Sequence, residues 1–186
     1  LLKVLKNDLT GELESMLQRV YRQLLQVVDR EDIIIASNKV QVDMIRKQIG
    51  DMPIVVEPER RDTFPAISLA TSYLYTKLNL PMDEIVGVVS VDTYADVTFY
   101  KKVIELGNIV RQENVQLGLL GVKPTYNSSK YGYLIPKGWQ GDKMMVERFK
   151  EKPSEEEAQR LIDLSAYWNS GIFVFPIKLI SEKLEQ

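Results

Sequence analysis

Cysteine and histidine are both missing from the 186 residues. Their absence excludes a disulfide framework, a zinc cluster, a thiol nucleophile, a histidine general base and the Ser-His-Asp and Cys-His triads. An excess of basic charge is missing too: 24 Lys and Arg stand against 26 Asp and Glu, a net charge of -2. That balance speaks against a nucleic-acid partner held by counterion release, and no polybasic run points to an anionic membrane surface. The longest apolar runs are strand-sized, well short of the ~20 residues that cross a bilayer. What is present is 45 % hydrophobic and 27 % charged residues, enough for a core and a solvated surface. Any chemistry must therefore run on carboxylates, lysine or arginine, backbone amides and an oxygen-bound metal such as magnesium. With no signal peptide at the start, cytoplasmic is the default expectation for location.

Helical and strand-like segments alternate. Met16, Leu17, Val20, Tyr21, Leu24, Leu25 and Val28 fall at helical spacing within residues 14–28. Ile33 to Ala36, Ile54 to Val56 and Ile85 to Ser90 read as short buried strands, each followed by a helix. The second helix ends at Gly50, and the fourth starts near Asp96. This repeated order predicts an α/β domain with a mainly parallel, mixed sheet flanked by helices. After residue 115 the pattern changes. A strand at 115–122 and a turn-rich loop precede strands at 131–136 and 144–151, paired across a turn at 138–142. A helix at 154–164, a strand at 170–175 and a last helix after Pro176 follow. No linker or repeat interrupts the chain, so a single domain over 1–186 is expected.

Ligands of open parallel sheets bind at the carboxyl ends of strands, which directs attention to five polar segments. Asp92 follows the third strand directly, where a hard carboxylate can bind magnesium; the plainer role is a helix cap or turn former. Asp62 or Thr63 can cap the next helix, placing Thr63 at a helix N-terminus that favours anions. In Tyr131-Gly132-Tyr133 the glycine lets the backbone approach a ligand and the tyrosines can flank a sugar ring; a β-bulge with two packing aromatics is the alternative. Glu151-Lys152-Pro153 ends a strand with opposite charges on opposite faces, suiting sugar hydroxyls and a phosphate, or merely a solvated strand end. Asn169, beside Tyr167 and Trp168, is an amide suited to carbohydrate hydroxyls or to closing a turn.

Taken in order, these segments resemble the sugar-1-phosphate nucleotidylyltransferases, and among them the mannose-1-phosphate guanylyltransferases. The resemblance runs through Ser15-Met16-Leu17-Gln18, Glu57-Pro58, Arg61-Asp62-Thr63, Pro65-Ala66-Ile67 and Ser90-Val91-Asp92. It continues in Gly121-Val122-Lys123-Pro124-Thr125, Tyr131-Gly132-Tyr133, Phe149-Lys150-Glu151-Lys152-Pro153 and Tyr167-Trp168-Asn169-Ser170-Gly171. It implies a Rossmann-like nucleotidyltransferase fold and a reaction of mannose 1-phosphate with GTP, giving GDP-mannose and pyrophosphate with Mg2+ as cofactor. Asp92 would hold the metal and, with Lys152, act in catalysis. Asp62 and Thr63 would lie by the nucleotide. Gly132, Glu151 and Asn169 would hold the mannosyl hydroxyls, and Lys152 the sugar phosphate.

Several positions depart from the family pattern. Its opening glycine-rich phosphate loop has no match here, and a second metal-binding Asp would lie past Gln186, so the domain is expected to be incomplete at both ends. Asp62 stands where Asn is usual, Phe64 replaces a small residue, and Asp92-Thr93 replaces Asp-His. Heptose or glucose 1-phosphate is the alternative substrate, and a non-catalytic sugar-nucleotide-binding paralogue the alternative class. A glycosyltransferase would need an Asp-x-Asp motif, which is absent. Homo-oligomerisation is compatible with all of these.

Overall fold

A computed structural model describes residues 1–59, 62–141 and 143–184. Arg61 and Asp142, part of the motif and the turn noted above, lie outside the described residues, as do Glu185 and Gln186. Two compact units emerge: residues 1–118 with 173–186 form the first, and residues 119–172 the second.

The first unit opens on a hairpin that the hydrophobic pattern did not reveal, β1 (Lys3–Lys6) and β2 (Leu13–Ser15), paired antiparallel. Its turn is local chemistry: the Asn7 side chain accepts from the backbone N–H of Leu9 and Thr10 at 2.9 and 3.3 Å. Ser15 then starts α1 (Met16–Leu24) through a capping box. The Gln18 N–H donates to Ser15 Oγ at 3.2 Å, and the Ser15 N–H donates to Gln18 Oε1 at 3.1 Å. The Ser-Met-Leu-Gln segment thus has a structural purpose. Buried Glu14 holds Arg22 by a 2.7 Å ion pair beside Arg19.

β3 (Ile35–Asn38) and β4 (Ile54–Glu57) pair in parallel, with Ile35 opposite Ile54. β3 starts two residues later than the sequence suggests because the Ile33 N–H closes a 3-10 turn on the Arg30 carbonyl. Asn38 caps a second 3-10 turn ahead of α2 (Val42–Ile49), which ends at Gly50 with φ 85°. α3 (Thr63–Lys77), β5 (Ile85–Val88), α4 (Val97–Gln112) and α6 (Ile177–Leu184) complete the unit. Asp96 caps α4, accepting from the N–H of Thr98 and Phe99. β5 pairs antiparallel with the end of β9 (Tyr167–Pro176), Val88 opposite Phe173.

Tyr100 on α4 is fully buried. Burial raises its phenol above the ordinary 10.0, because the phenolate is the form that desolvation penalises. Folded Tyr100 therefore keeps its proton at pH values where the unfolded chain loses it. The corresponding stability is complete below pH 10 and is lost as pH rises through the folded value. Denaturant melts at pH 8 and 11 should show a drop that Tyr100→Phe reduces; an equal drop in the variant would contradict this.

In the second unit, β7 (Tyr133–Gln140) and β8 (Lys143–Lys150) form an irregular antiparallel hairpin; β7 runs four residues further than the periodicity suggests, and β8 is shifted by one. β7 also pairs antiparallel with the start of β9, and β6 (Gly118–Val122) pairs with β9. α5 (Glu155–Asp163), capped by Ser154, packs against β7, where Tyr133, Ile135, Ala158, Leu161 and Ala166 make the core. The α/β class with sheets and flanking helices is as expected. Parallel pairing, expected to prevail, is described only between β3 and β4; β5 and β7 both run against β9.

Candidate functional site

The sheet of the second unit sorts its residues by alternation. Tyr133 lies opposite Lys150 and Trp168, and Leu134 opposite Phe149 and Tyr167. Tyr133, Lys150 and Trp168 thus share the α5 face, where Lys150 also meets Glu157 at 3.1 Å. Gly132, Leu134, Phe149, Tyr167 and Asn169 share the other.

That sorting decides what the tyrosines do. Tyr133 is buried in the α5 core and its hydroxyl donates to the Ser128 carbonyl at 2.9 Å. Tyr131 packs on Trp168, with ring centroids 4.9 Å apart, and Tyr126 sits on the same indole at 5.0 Å. A hydrogen bond with Tyr126 holds the Tyr131 phenol above its ordinary value. Tyr133 is thus part of the α5 core and does not flank a ligand at Gly132, while Tyr131 stays partly exposed on Trp168.

Gly132 gathers the second unit's expected site residues. The Asn169 N–H donates to its carbonyl at 2.8 Å. A Cβ built on Gly132 would lie 2.4 Å from Phe149 Cζ and 2.9 Å from Glu151 Oε2, so only glycine leaves room for that ring and carboxylate. Asn169 Oδ1 accepts from the Gly171 N–H at 3.2 Å, closing a turn in which Gly171 has φ 77°. Its Nδ2 donors have no protein partner among the described residues. Ser170 Oγ donates to the Leu120 carbonyl at 2.7 Å and fixes the segment.

Glu151 and Lys152 are not on opposite faces. β8 ends at Lys150, and Lys152 takes φ 40°, which breaks the strand's alternation and brings its Nζ within 3.3 Å of Glu151 Oε1. Both side chains are exposed. A lysine at positive φ is uncommon, and the strain is kept where carboxylate and ammonium stand side by side.

In the first unit, β5 ends at Val88, two residues short of the expected strand, so Asp92 does not follow it directly but lies exposed within the turn closed by Thr93 N–H on the Ser90 carbonyl. Ser90 Oγ donates to Asp92 Oδ1. The caps of α4 and α3 are other residues, so the helix-cap role falls away and the turn role stands. Asp62 occupies the N-cap position of α3 with φ 63° and ψ -170°, and its side chain makes no cap hydrogen bond. That backbone region belongs almost wholly to glycine. Asp62→Gly should therefore raise stability by about 1 kcal/mol in denaturant melts. A loss of stability would show that the carboxylate supports the fold. Thr63 is the first residue of α3, exposed at its N-terminus.

No group of three metal-binding side chains converges among the described residues. One exposed carboxylate still fits magnesium, which commonly takes one or two carboxylates together with substrate phosphates and water. A cavity of about 370 Å³ in the first unit is lined by Glu14, Gln18, Arg22 and Gln48 among others, and by none of the expected site residues. Among the described residues no helix is long and apolar enough to cross a membrane.

The chain belongs to the nucleotidyl transferase family, whose model matches residues 6–186. The xanthan biosynthesis protein XanB of Xanthomonas campestris pv. campestris (strain B100) is 32 % identical over 189 residues, covering 96 % of this chain and 38 % of that protein. The mannose-1-phosphate guanylyltransferase of Sinorhizobium fredii (strain NBRC 101917 / NGR234) is 34 % identical over 142 residues, covering 72 % of this chain and 26 % of that protein. A solved structure described as mannose-1-phosphate geranyltransferase from Thermus thermophilus superposes with a TM-score of 0.82 at 25 % identity, covering 96 % of this chain and 51 % of that one. The chain thus spans well under half the length of these curated relatives.

Proposed function

We propose that this chain serves a sugar-1-phosphate nucleotidyltransferase that joins mannose 1-phosphate to GTP, releasing pyrophosphate. In that reaction an oxygen of the sugar phosphate attacks the α-phosphorus of the nucleotide. The bond from that phosphorus to the bridging oxygen breaks, and pyrophosphate leaves with the electron pair. Such a transfer demands positioning and charge stabilisation rather than an acid–base side chain, which suits a chain without histidine or cysteine.

The observation that carries the reading is the group around Gly132. Glu151 accepts from sugar hydroxyls, Asn169 donates through Nδ2, and Lys152, on Glu151's flank, meets the phosphate. Gly132 makes room for the Phe149 ring and the Glu151 carboxylate to come together. In the first unit, Asp62 and Thr63 serve the nucleotide, which gives the strained Asp62 backbone a purpose that capping does not. Asp92 would hold Mg2+, which when bound spreads the negative charge of the triphosphate. The relatives named for mannose-1-phosphate guanylyl transfer support mannose and guanine over other pairs.

Competition at equal concentrations tests this choice. GTP with mannose 1-phosphate should give the highest specificity constant, read as pyrophosphate released. A higher value for dTTP with glucose 1-phosphate, or for a heptose 1-phosphate, would overturn it.

A further inference from the structure

The face that carries Gly132 and Asn169 also carries an aromatic ring that the core does not explain. Phe149 lies opposite Leu134 in the β7–β8 register, yet Leu134 is 1 % exposed and Phe149 48 %. Its ring edge is held hard against the Gly132 backbone, at a position where any side chain on residue 132 would collide with Cζ and Cε2. Glu151 Oε2 reaches the same point, 2.9 Å from where a Cβ would be. Two residues apart around the end of β8, the ring and the carboxylate converge on one glycine. Asn169 is tied to that glycine's carbonyl through its N–H. Tyr133 is buried on the other face and Tyr131 packs there on Trp168, while Phe149 stays half-exposed beside the polar groups.

We infer that Phe149 is the platform on which the pyranose ring of the sugar phosphate rests, a positioning and specificity role built on the reading given above. A hexose presents a face of C–H groups with hydroxyls around its edge. Ligand sites match such molecules with apolar or aromatic walls and a few placed polar groups. Phe149 offers the wall, while Glu151 and Asn169 meet the edge. The glycine at 132 then seats the ring that supports the sugar and brings the Glu151 carboxylate beside it. A sugar whose hydroxyl pattern interrupts the C–H face loses contact with Phe149 while keeping its phosphate contact, so the ring discriminates among sugar phosphates.

The test is saturation-transfer NMR on the protein with α-mannose 1-phosphate, irradiating aromatic protons, beside calorimetric titration. Wild type should pass saturation to the pyranose C–H protons. Phe149→Leu should abolish that transfer and weaken sugar-phosphate binding about tenfold, the scale expected from losing one side of apolar contact. Phe149→Tyr should restore both, which separates the ring's role from general packing. Binding of GTP should be the same in all three proteins. Wild-type affinity and transfer in Phe149→Leu would overturn the inference. Asn169→Ala and Glu151→Gln keep the two claims apart. If they weaken binding while Phe149→Leu does not, the platform falls and the site stands. If none of the variants changes binding, the site reading falls and takes the platform with it.

Discussion

Asp92→Asn is expected to lower nucleotidyl transfer about a thousandfold, the equivalent of several kcal/mol of lost charge stabilisation. Asparagine keeps the oxygen that accepts from Ser90 Oγ, so the turn after β5 is preserved and only the charge is removed. This separates the two roles available to the residue. A turn former tolerates the change, because the hydrogen bond survives. A metal carboxylate does not, because a neutral amide oxygen binds a hard divalent cation far less well. The magnesium concentration for half-maximal rate should rise, and the melting temperature should stay within a degree or two. Turnover near wild type, with unchanged magnesium dependence, would remove Asp92 from the chemistry.

Gly132→Ala should produce the second large effect, through sterics rather than charge. Its methyl group would stand 2.4 Å from Phe149 Cζ, far inside contact distance, so the ring and the β7–β8 hairpin must shift. Overpacking of this kind costs about 1–3 kcal/mol. The shift also moves Glu151 Oε2 from its place, so sugar-phosphate affinity should fall at least tenfold while GTP binding holds. The change is checked by thermal unfolding together with titration of each substrate. Full stability with full sugar affinity would mean that the close approach at Gly132 is not part of the site.

Much of this was legible in the residues. Helical spacing placed α1 and α4 within a few residues of their ends, and Gly50 marked the end of α2. Asp92 falls in the turn between β5 and α4, where the alternation of strands and helices put it, although β5 stops at Val88. The misses share a physical cause, which is that local pattern does not report backbone geometry or partners. The β1–β2 hairpin depends on an Asn7 side chain that mimics a turn, in a stretch with little apolar alternation. Antiparallel pairing at β5 follows from a strand far later in the chain, which no short-range signal announces. Glu151 and Lys152 escape strand alternation because β8 stops at Lys150 and Lys152 takes a positive φ, which the residue types alone do not announce. The same rule, applied from Phe149 to Glu151, would have put the ring on the side of the carboxylate. Period two from Phe149 to Glu151 carries that signal, and period two from Tyr131 to Tyr133 puts both tyrosines on the opposite face from Gly132.

Amide chemical-shift mapping with α-mannose 1-phosphate tests the central claim most directly, because it needs neither turnover nor a second substrate. The account predicts that the first and largest changes fall on Gly132, Glu151, Lys152, Asn169 and Gly171, with saturation on titration. Changes centred elsewhere, or none up to millimolar ligand, would contradict the assignment of this face as the sugar-phosphate site.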